Sequence, residues 1–392
     1  MRSSADSLFG TCYLGVGNVL VVLIHMMDCP LNAFGNYVHY EVGTSVEVRA
    51  CNTDELFYEA TIISYDPDTN TYQVEYEDGS EGDGIWYKSM MPSQRYVVYE
   101  DDLLKVVDGH VYIRDEVREA RLLAFQNCPQ LFQSATIKIS DHEFEHDTVV
   151  FEFSQGLLFS IPIFKIQNCA LDKVCVLGAG AGCISMALRL LSPDADIEVV
   201  ELSSQVVEIS QTYFGVPVDG PKFKTHIMDA LQYVDSKQFT ESFSLVVIDV
   251  TSDDAVPCTQ IESNGLEIPP HAFVENSFFK KVKSMLKADG WASMNVIAEN
   301  EVLLDLLQRL EAVFSSVYVL AVNPNVVVFM SMMASGIGFS ELYSESQASG
   351  FKYHAPAVLK KIKRTPKYKN SPTPLGWFSS QQFQSNLKIN KI

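Results

Sequence analysis

Along the second half of the chain, apolar residues fall alternately into short unbroken runs and into stretches at helical spacing. The runs are KVCVL (173–177), DIEVVE (196–201), SLVVIDV (244–250), GWASMNVI (290–297), SVYVLAV (316–322) and NVVVFMS (325–331), and KFKTHIMDA (222–230) reads as a further strand, third in chain order. Between them, CISMALRLL (183–191), SSQVVEISQTYF (203–214), AFVENSFFKKVKSML (272–286) and ENEVLLDLLQRLEAVF (299–314) repeat apolar positions every three to four residues. An apolar run of five to eight residues is a strand buried on both faces, and the intervening period is that of an amphipathic helix. Strand and helix alternating in this way predict an α/β fold, a doubly wound, Rossmann-like sheet of seven strands. Ser203 is a ready N-cap for the second helix.

The first half has another rhythm. TSVEVRA (44–50), FYEATIISYD (57–66), TYQVEYED (71–78) and IWYKSM (85–90) are short alternating strands, with turn chemistry at Pro67-Asp68-Thr69-Asn70 and Glu77-Asp78-Gly79. Four such strands in so short a span predict a small β-barrel. Ahead of them, Leu8–Met27 is a twenty-residue stretch without a formal charge. It is long enough for a membrane anchor, although glycine, asparagine and histidine interrupt it and only Arg2 stands before it as a positive flank.

The expected organisation is an apolar segment at 1–40, a β-barrel at 41–97, a β-hairpin-rich entry region at 98–165, the α/β domain at 166–335 and a tail at 345–392. Charge supports the last boundary. The chain of 392 residues carries 49 acidic and 29 basic side chains, a formal net charge of −20. Residues 351–392 hold nine Lys/Arg and no Asp/Glu, which leaves 49 acids against 20 bases in residues 1–350. A basic tail with three prolines after residue 365 reads as disordered, and the acidic body argues against nucleic acid as a partner. The eight cysteines form no CxxC pair, which fits reduced thiols and a cytoplasmic location.

Residues 142–146 spell His-Glu-Phe-Glu-His, a formal zinc-protease motif. Its flanks, SATIKIS and TVVFEF, alternate as strands. On a strand, positions four apart are separated by about 13 Å, too far to share one metal. No metal is expected there.

The chemistry is expected at the carboxyl ends of the parallel strands. Gly178, Gly180 and Gly182 follow the first strand and open a helix, where backbone can approach a ligand closely. Glu201 ends the next strand, 19 residues after Gly182, the spacing of an acid that takes ribose hydroxyls. Asp229 follows the third strand and Asp249 ends the fourth. The GxGxG turn is similar to that of class I S-adenosylmethionine-dependent methyltransferases rather than to the dinucleotide fingerprint, whose third small residue would fall at Cys183. That resemblance implies S-adenosyl-L-methionine as cofactor, held by Gly178, Gly180, Gly182, Glu201, Asp229 and Asp249.

VVIDVTSDDAVPC (246–258) and IPPHAFVENSFFKKVKSML (268–286) resemble the C-terminal domain of the methyltransferase-like protein 13 family, which is built on the spermidine-synthase plan. EARLLAFQNCPQLFQSATIKI (119–139) resembles that family's hairpin before the sheet, and FSQGLLFSI (153–161) the helix entering it. The family's DVDSxDP loop is matched at Asp249, Val250, Ser252 and Asp254, with departures at Thr251 and Ala255. The resemblance implies methyl transfer to a protein amine, with Asp249 and Asp254 at the acceptor and translation elongation factor 1-alpha as the kind of target; a homodimer is left open. Polyamine aminopropyl transfer is the alternative on the same scaffold, and a non-catalytic scaffold or methyl-reader a third.

Residues 42–93 resemble Tudor and related SH3-like modules, which grip methylated cations in an aromatic cage. Tyr58 and Tyr76 match two cage positions, whereas Cys51 and Gly79 stand where the family has aromatics. A methylated peptide is the ligand this implies; the alternative is that the tyrosines fill the small core.

Overall fold

The computed structural model describes residues 12–13, 21–22, 42–49, 57–66, 69, 71–76, 79, 81–86, 90–92, 96–113, 116–127, 132–236, 240–251, 265–322, 325–334, 336–338, 341–342, 344–345 and 376–379. The chain divides into two units, Met1–Ala124 and Phe125–Ile392, so the division falls inside the expected entry region.

In the first unit Ser45–Arg49, Phe57–Asp66, Thr71–Tyr76, Glu81–Trp86 and Met90–Pro92 form one five-stranded sheet. The first four strands are an antiparallel meander, and Met90–Pro92 returns to pair with Ser45–Arg49. Val46, Val48, Ala60, Ile62, Tyr72 and Val74 gather in its core, with Tyr65 and Tyr76 packed against them. The apolar stretch 8–27 lies largely outside the described residues; within it Cys12–Tyr13 pairs with Val21–Val22. Among the described residues no helix is long and apolar enough to cross a membrane.

The second unit is built on a sheet whose main strands are β1 (Lys173–Leu177), β2 (Asp196–Glu201), β3 (Phe223–Ile227), β4 (Phe243–Ile248), β5 (Leu286–Ala298), β6 (Ser316–Ala321) and β7 (Val326–Ser331). Their order is β3-β2-β1-β4-β5-β7-β6. The first five are parallel to one another, and β7 runs antiparallel between β5 and β6. The sheet has nine strands rather than seven: Leu266–Ile268 joins β5, and Gly376–Ser379, inside the tail read as disordered, pairs with β6.

Period-two alternation sends successive side chains to opposite faces. Cys175, Leu177, Val246, Ile248, Met294 and Val296 meet helices Asn276–Met285 and Asn300–Glu311 on one face. Val174, Val176, Leu245, Val247, Trp291 and Phe329 meet Ser160–Ile166 and Cys183–Leu191 on the other. The order reverses between β1 and β4, and a crevice outside the carboxyl ends at such a point is where open α/β sheets bind ligands.

Trp291 is fully buried and its ring nitrogen donates to Gln167 Oε1 at 2.7 Å. Trp291→Ala should cost roughly 3–5 kcal/mol through the void it leaves. Urea unfolding of the wild type and the variant measures this.

Candidate functional site

The turn after β1 is shaped by three glycines with left-handed backbone, at φ of +90° (Gly178), +49° (Gly180) and +80° (Gly182). At two of them a side chain has nowhere to go. A Cβ on Gly178 would stand 2.0 Å from the Asp249 backbone oxygen, and one on Gly182 would stand 2.3 Å from Val216 Cγ2. The turn therefore lies flush against the end of β4 and leads into helix Cys183–Leu191. Beside it, Ser134 on strand Phe132–Ser140 accepts the Ala181 amide hydrogen at 3.0 Å through its Oγ.

Glu201, at the end of β2, is fixed in two directions. Its Oε2 accepts from the Ala179 amide at 2.9 Å and its Oε1 from the Ser203 amide at 3.0 Å. A carboxylate has about four lone-pair sites, so each oxygen keeps one for a further donor. Asp229 follows β3 and N-caps helix Ala230–Val234, its Oδ1 accepting from the Leu231 amide at 2.7 Å. The same helix is tied to the sheet by Tyr233, whose hydroxyl donates to Glu198 Oε2 at 2.5 Å. Glu198 also meets Lys173 Nζ at 2.8 Å and His226 Nε2 at 2.9 Å. Burial pushes the Glu198 carboxyl upward, but these partners, led by Lys173 and Tyr233, hold it below its ordinary range.

Asp249 follows β4, with its amide donating to the Leu177 oxygen at 2.9 Å. Its carboxylate accepts from Asn295 Nδ2 at 3.0 Å, and burial still pushes it up to about 6. The sequence pattern thus brings the glycines, Glu201 and Asp249 to one turn, with Asp229 at the end of the next strand but one. Asp254 and the loop around it, together with Cys51 of the cage pattern, lie outside the described residues. Sequence reasoning missed Asn295 and Ser134. The signal for Asn295 is an amide inside an apolar run, MNVI, where a polar side chain needs a partner.

The His-Glu-Phe-Glu-His stretch is a turn followed by strand Glu143–Val149, as its flanks implied. His146 packs near Phe144, and burial lowers its imidazole to about 4. In the first unit, Val48 pairs with Tyr58 and Ala60 with Tyr76, so the two tyrosines share one face as diagonal neighbours. Tyr76 leans on Gly82, where a Cβ would stand 3.1 Å from its ring.

Residues 153–340 match the spermine/spermidine synthase domain family. The chain is 32% identical over 149 residues to the eEF1A lysine and N-terminal methyltransferase of Danio rerio, a match covering 37% of this chain and 20% of that protein. It is 28% identical over 222 residues to the Homo sapiens protein of the same name, covering 55% and 29%. These matches span between a fifth and a third of the curated relatives' length. They bear out the family resemblance drawn from the sequence. A probable spermidine synthase from Corynebacterium glutamicum shares the fold at 16% identity and a TM-score of 0.50, over 71% of this chain and 90% of that one.

The environment of Asp249 has a consequence for stability. An ordinary aspartate near 3.8 that rises to about 6 on folding keeps a proton the unfolded chain has lost. Stability therefore falls as pH rises from about 4 to about 6, by at most about 3 kcal/mol. Urea midpoints of wild type and Asp249→Asn should diverge across that interval, with the variant gaining relative to wild type as pH increases.

Proposed function

We propose that the second unit is an S-adenosylmethionine-dependent methyltransferase acting on an amine of a protein substrate. The observation that carries the reading is the gathering of Glu201 and Asp249 on one glycine turn at the point where the strand order reverses. The residues suit the cofactor's chemistry. Glu201 is held rigid by two amides and keeps lone pairs for ribose hydroxyls. Asp229 offers its second oxygen to an exocyclic amine, while the first caps its helix. Asp249 supplies negative charge for a cofactor that carries a sulfonium and an ammonium.

The bound cofactor would supply the transferable methyl group; this chain's part is to position and to handle protons. A protonated amine has no lone pair, so the acceptor must reach the site neutral. An α-amino group (pKa about 8) does so more readily than a lysine (about 10.4). With its carboxyl at about 6, Asp249 is mostly ionised at neutral pH and orients an amine N–H; we assign the same task to Asp254. The relatives named for eEF1A support elongation factor 1-alpha as the substrate.

Aminopropyl transfer is favoured by the family match over 153–340. Against it, the segment that would orient a polyamine reads FSQGLL, and Gln155 spends its amide on the carbonyls of Val149 and Val150. For the first unit we propose a Tudor-like, SH3-type barrel, supported by the fifth strand's return to the first. Packing of Tyr76 against the core favours its tyrosines as barrel filling over a methyl-lysine cage.

Calorimetry of the full chain should show S-adenosylmethionine binding that Glu201→Ala weakens by about 10–100-fold, the worth of lost charge-assisted hydrogen bonds. Labelled methyl groups should pass to purified elongation factor 1-alpha. Product formed instead from putrescine and the decarboxylated cofactor would establish the aminopropyl reaction, and absence of binding would leave a scaffold.

A further inference from the structure

The Asp249 carboxylate is the end of a longer polar line. Asn295 Nδ2 donates to Asp249 Oδ1 at 3.0 Å, and Asn325 Nδ2 donates to Asn295 Oδ1 at 2.9 Å. Both asparagines are buried: Asn295, inside β5, is 2% exposed, and Asn325, just before β7, is 9% exposed. Neither belongs to the glycine turn, and neither matches a motif in the sequence. Buried carboxamides in a largely apolar sheet are costly unless each end is matched, so their presence needs a reason.

The polarity of the line follows from its acceptor-only end. An ionised carboxylate can only accept, so Asn295 must turn its NH₂ toward Asp249. That leaves the Asn295 carbonyl facing Asn325, which must then donate. With the opposite orientation of Asn295, a carbonyl oxygen would face the carboxylate and both would lose a hydrogen bond in a buried setting. Asn325 is itself tethered, its backbone oxygen accepting from the Val322 amide at 3.0 Å. The line thus crosses from the loop before β7, through β5, to the end of β4, and the register places it at fixed height, with Asn295 opposite Val327 and Ile248 opposite Met294.

We propose that Asn325 and Asn295 are positioning residues that hold the Asp249 carboxylate in one orientation, ionised, toward the cofactor and acceptor. The assignment deepens the methyltransferase reading and rests on it for the ligand; the hydrogen-bonded line stands without it. Donation from Asn295 favours the charged form against burial, and Asn325 keeps Asn295 from turning over. Asn325→Asp keeps the side chain's shape and, in its ionised form, removes its donors, so it breaks the line with no change of volume.

The test is a double-mutant cycle in the cofactor-free protein, joined to calorimetry. Asn325→Asp should lower the thermal midpoint and weaken S-adenosylmethionine binding roughly tenfold, as expected when one hydrogen bond to a charged group is lost. Asn325→Asp combined with Asp249→Asn reverses every donor and acceptor, because Asn295 can then turn over and satisfy both ends. The double variant should therefore recover at least half of the midpoint lost in Asn325→Asp, while cofactor affinity stays low because the charge at 249 is gone. Additive midpoints in the cycle, or affinity in Asn325→Asp within twofold of wild type, would overturn the proposal. Should the wild type bind no cofactor, the methyltransferase reading falls, and the midpoints of the cycle still decide whether the line exists.

Discussion

A backbone carbonyl, that of Asp249, occupies the space that a side chain at residue 178 would need. Only glycine lets the chain leaving β1 pass so close to the chain leaving β4, and its left-handed backbone turns the loop there toward the next helix. Much of the candidate site follows from this close approach. The turn puts the Ala179 amide within reach of Glu201, and the Ala181 amide within reach of Ser134. A Cβ at 178 would push the chain leaving β4 away from β1 at the place where the order of the sheet reverses.

The three acids at the strand ends differ in what holds them. Two backbone amides fix the Glu201 carboxylate, so its position belongs to the glycine turn. Asp229 belongs to the helix it caps, which is anchored through Tyr233 to the Glu198 cluster. Asp249 has a side-chain donor, Asn295, and burial pushes its carboxyl upward. That difference fits a ligand whose sugar hydroxyls need rigid acceptors at one end and whose positive charges offset a costly carboxylate at the other. A cation is the ligand that makes burial of Asp249 favourable, because it removes the penalty that the apolar surroundings impose.

The sequence made the sheet readable wherever its signal was local. KVCVL and SLVVIDV are apolar runs with no alternative to burial, and the Ser203 cap is realised by a hydrogen bond from the Val206 amide. The two extra strands were not readable for a physical reason: each is three or four residues long and exists only because an edge or a free stretch of another strand accepts it. Leu266–Ile268 sits beside two prolines, and Gly376–Ser379 lies in a basic, proline-containing tail, so composition pointed away from pairing in both. The pairing of Asn295 with Asp249 and Asn325 was invisible for a different reason. Those partners lie 46 and 30 residues away, and hydrogen bonds across a sheet leave no periodic trace.

The choice between methyl and aminopropyl transfer turns on where charge is available to the acceptor. A polyamine carries cations at both ends, so an enzyme that uses one must offer acids at two separated places, beside the reacting carbon and at the far end of the substrate. In this chain helix Glu152–Leu157 carries one acid, Glu152, in its first turn and buries Ser154, Gln155, Gly156 and Leu157. Gln155 is buried, its NH₂ donating to two backbone carbonyls at 2.9 and 3.1 Å, so its donors serve the fold of that segment. A Cβ on the adjoining Gly156 would already stand 2.9 Å from Val327 Cγ2, so a larger residue there must displace the Val327 side chain. A protein amine makes no such second demand, since the rest of the substrate binds by its own surface. The packing of Gln155 and Gly156 thus leaves neither position as a second acidic anchor, and a single amine makes the lesser demand on this segment.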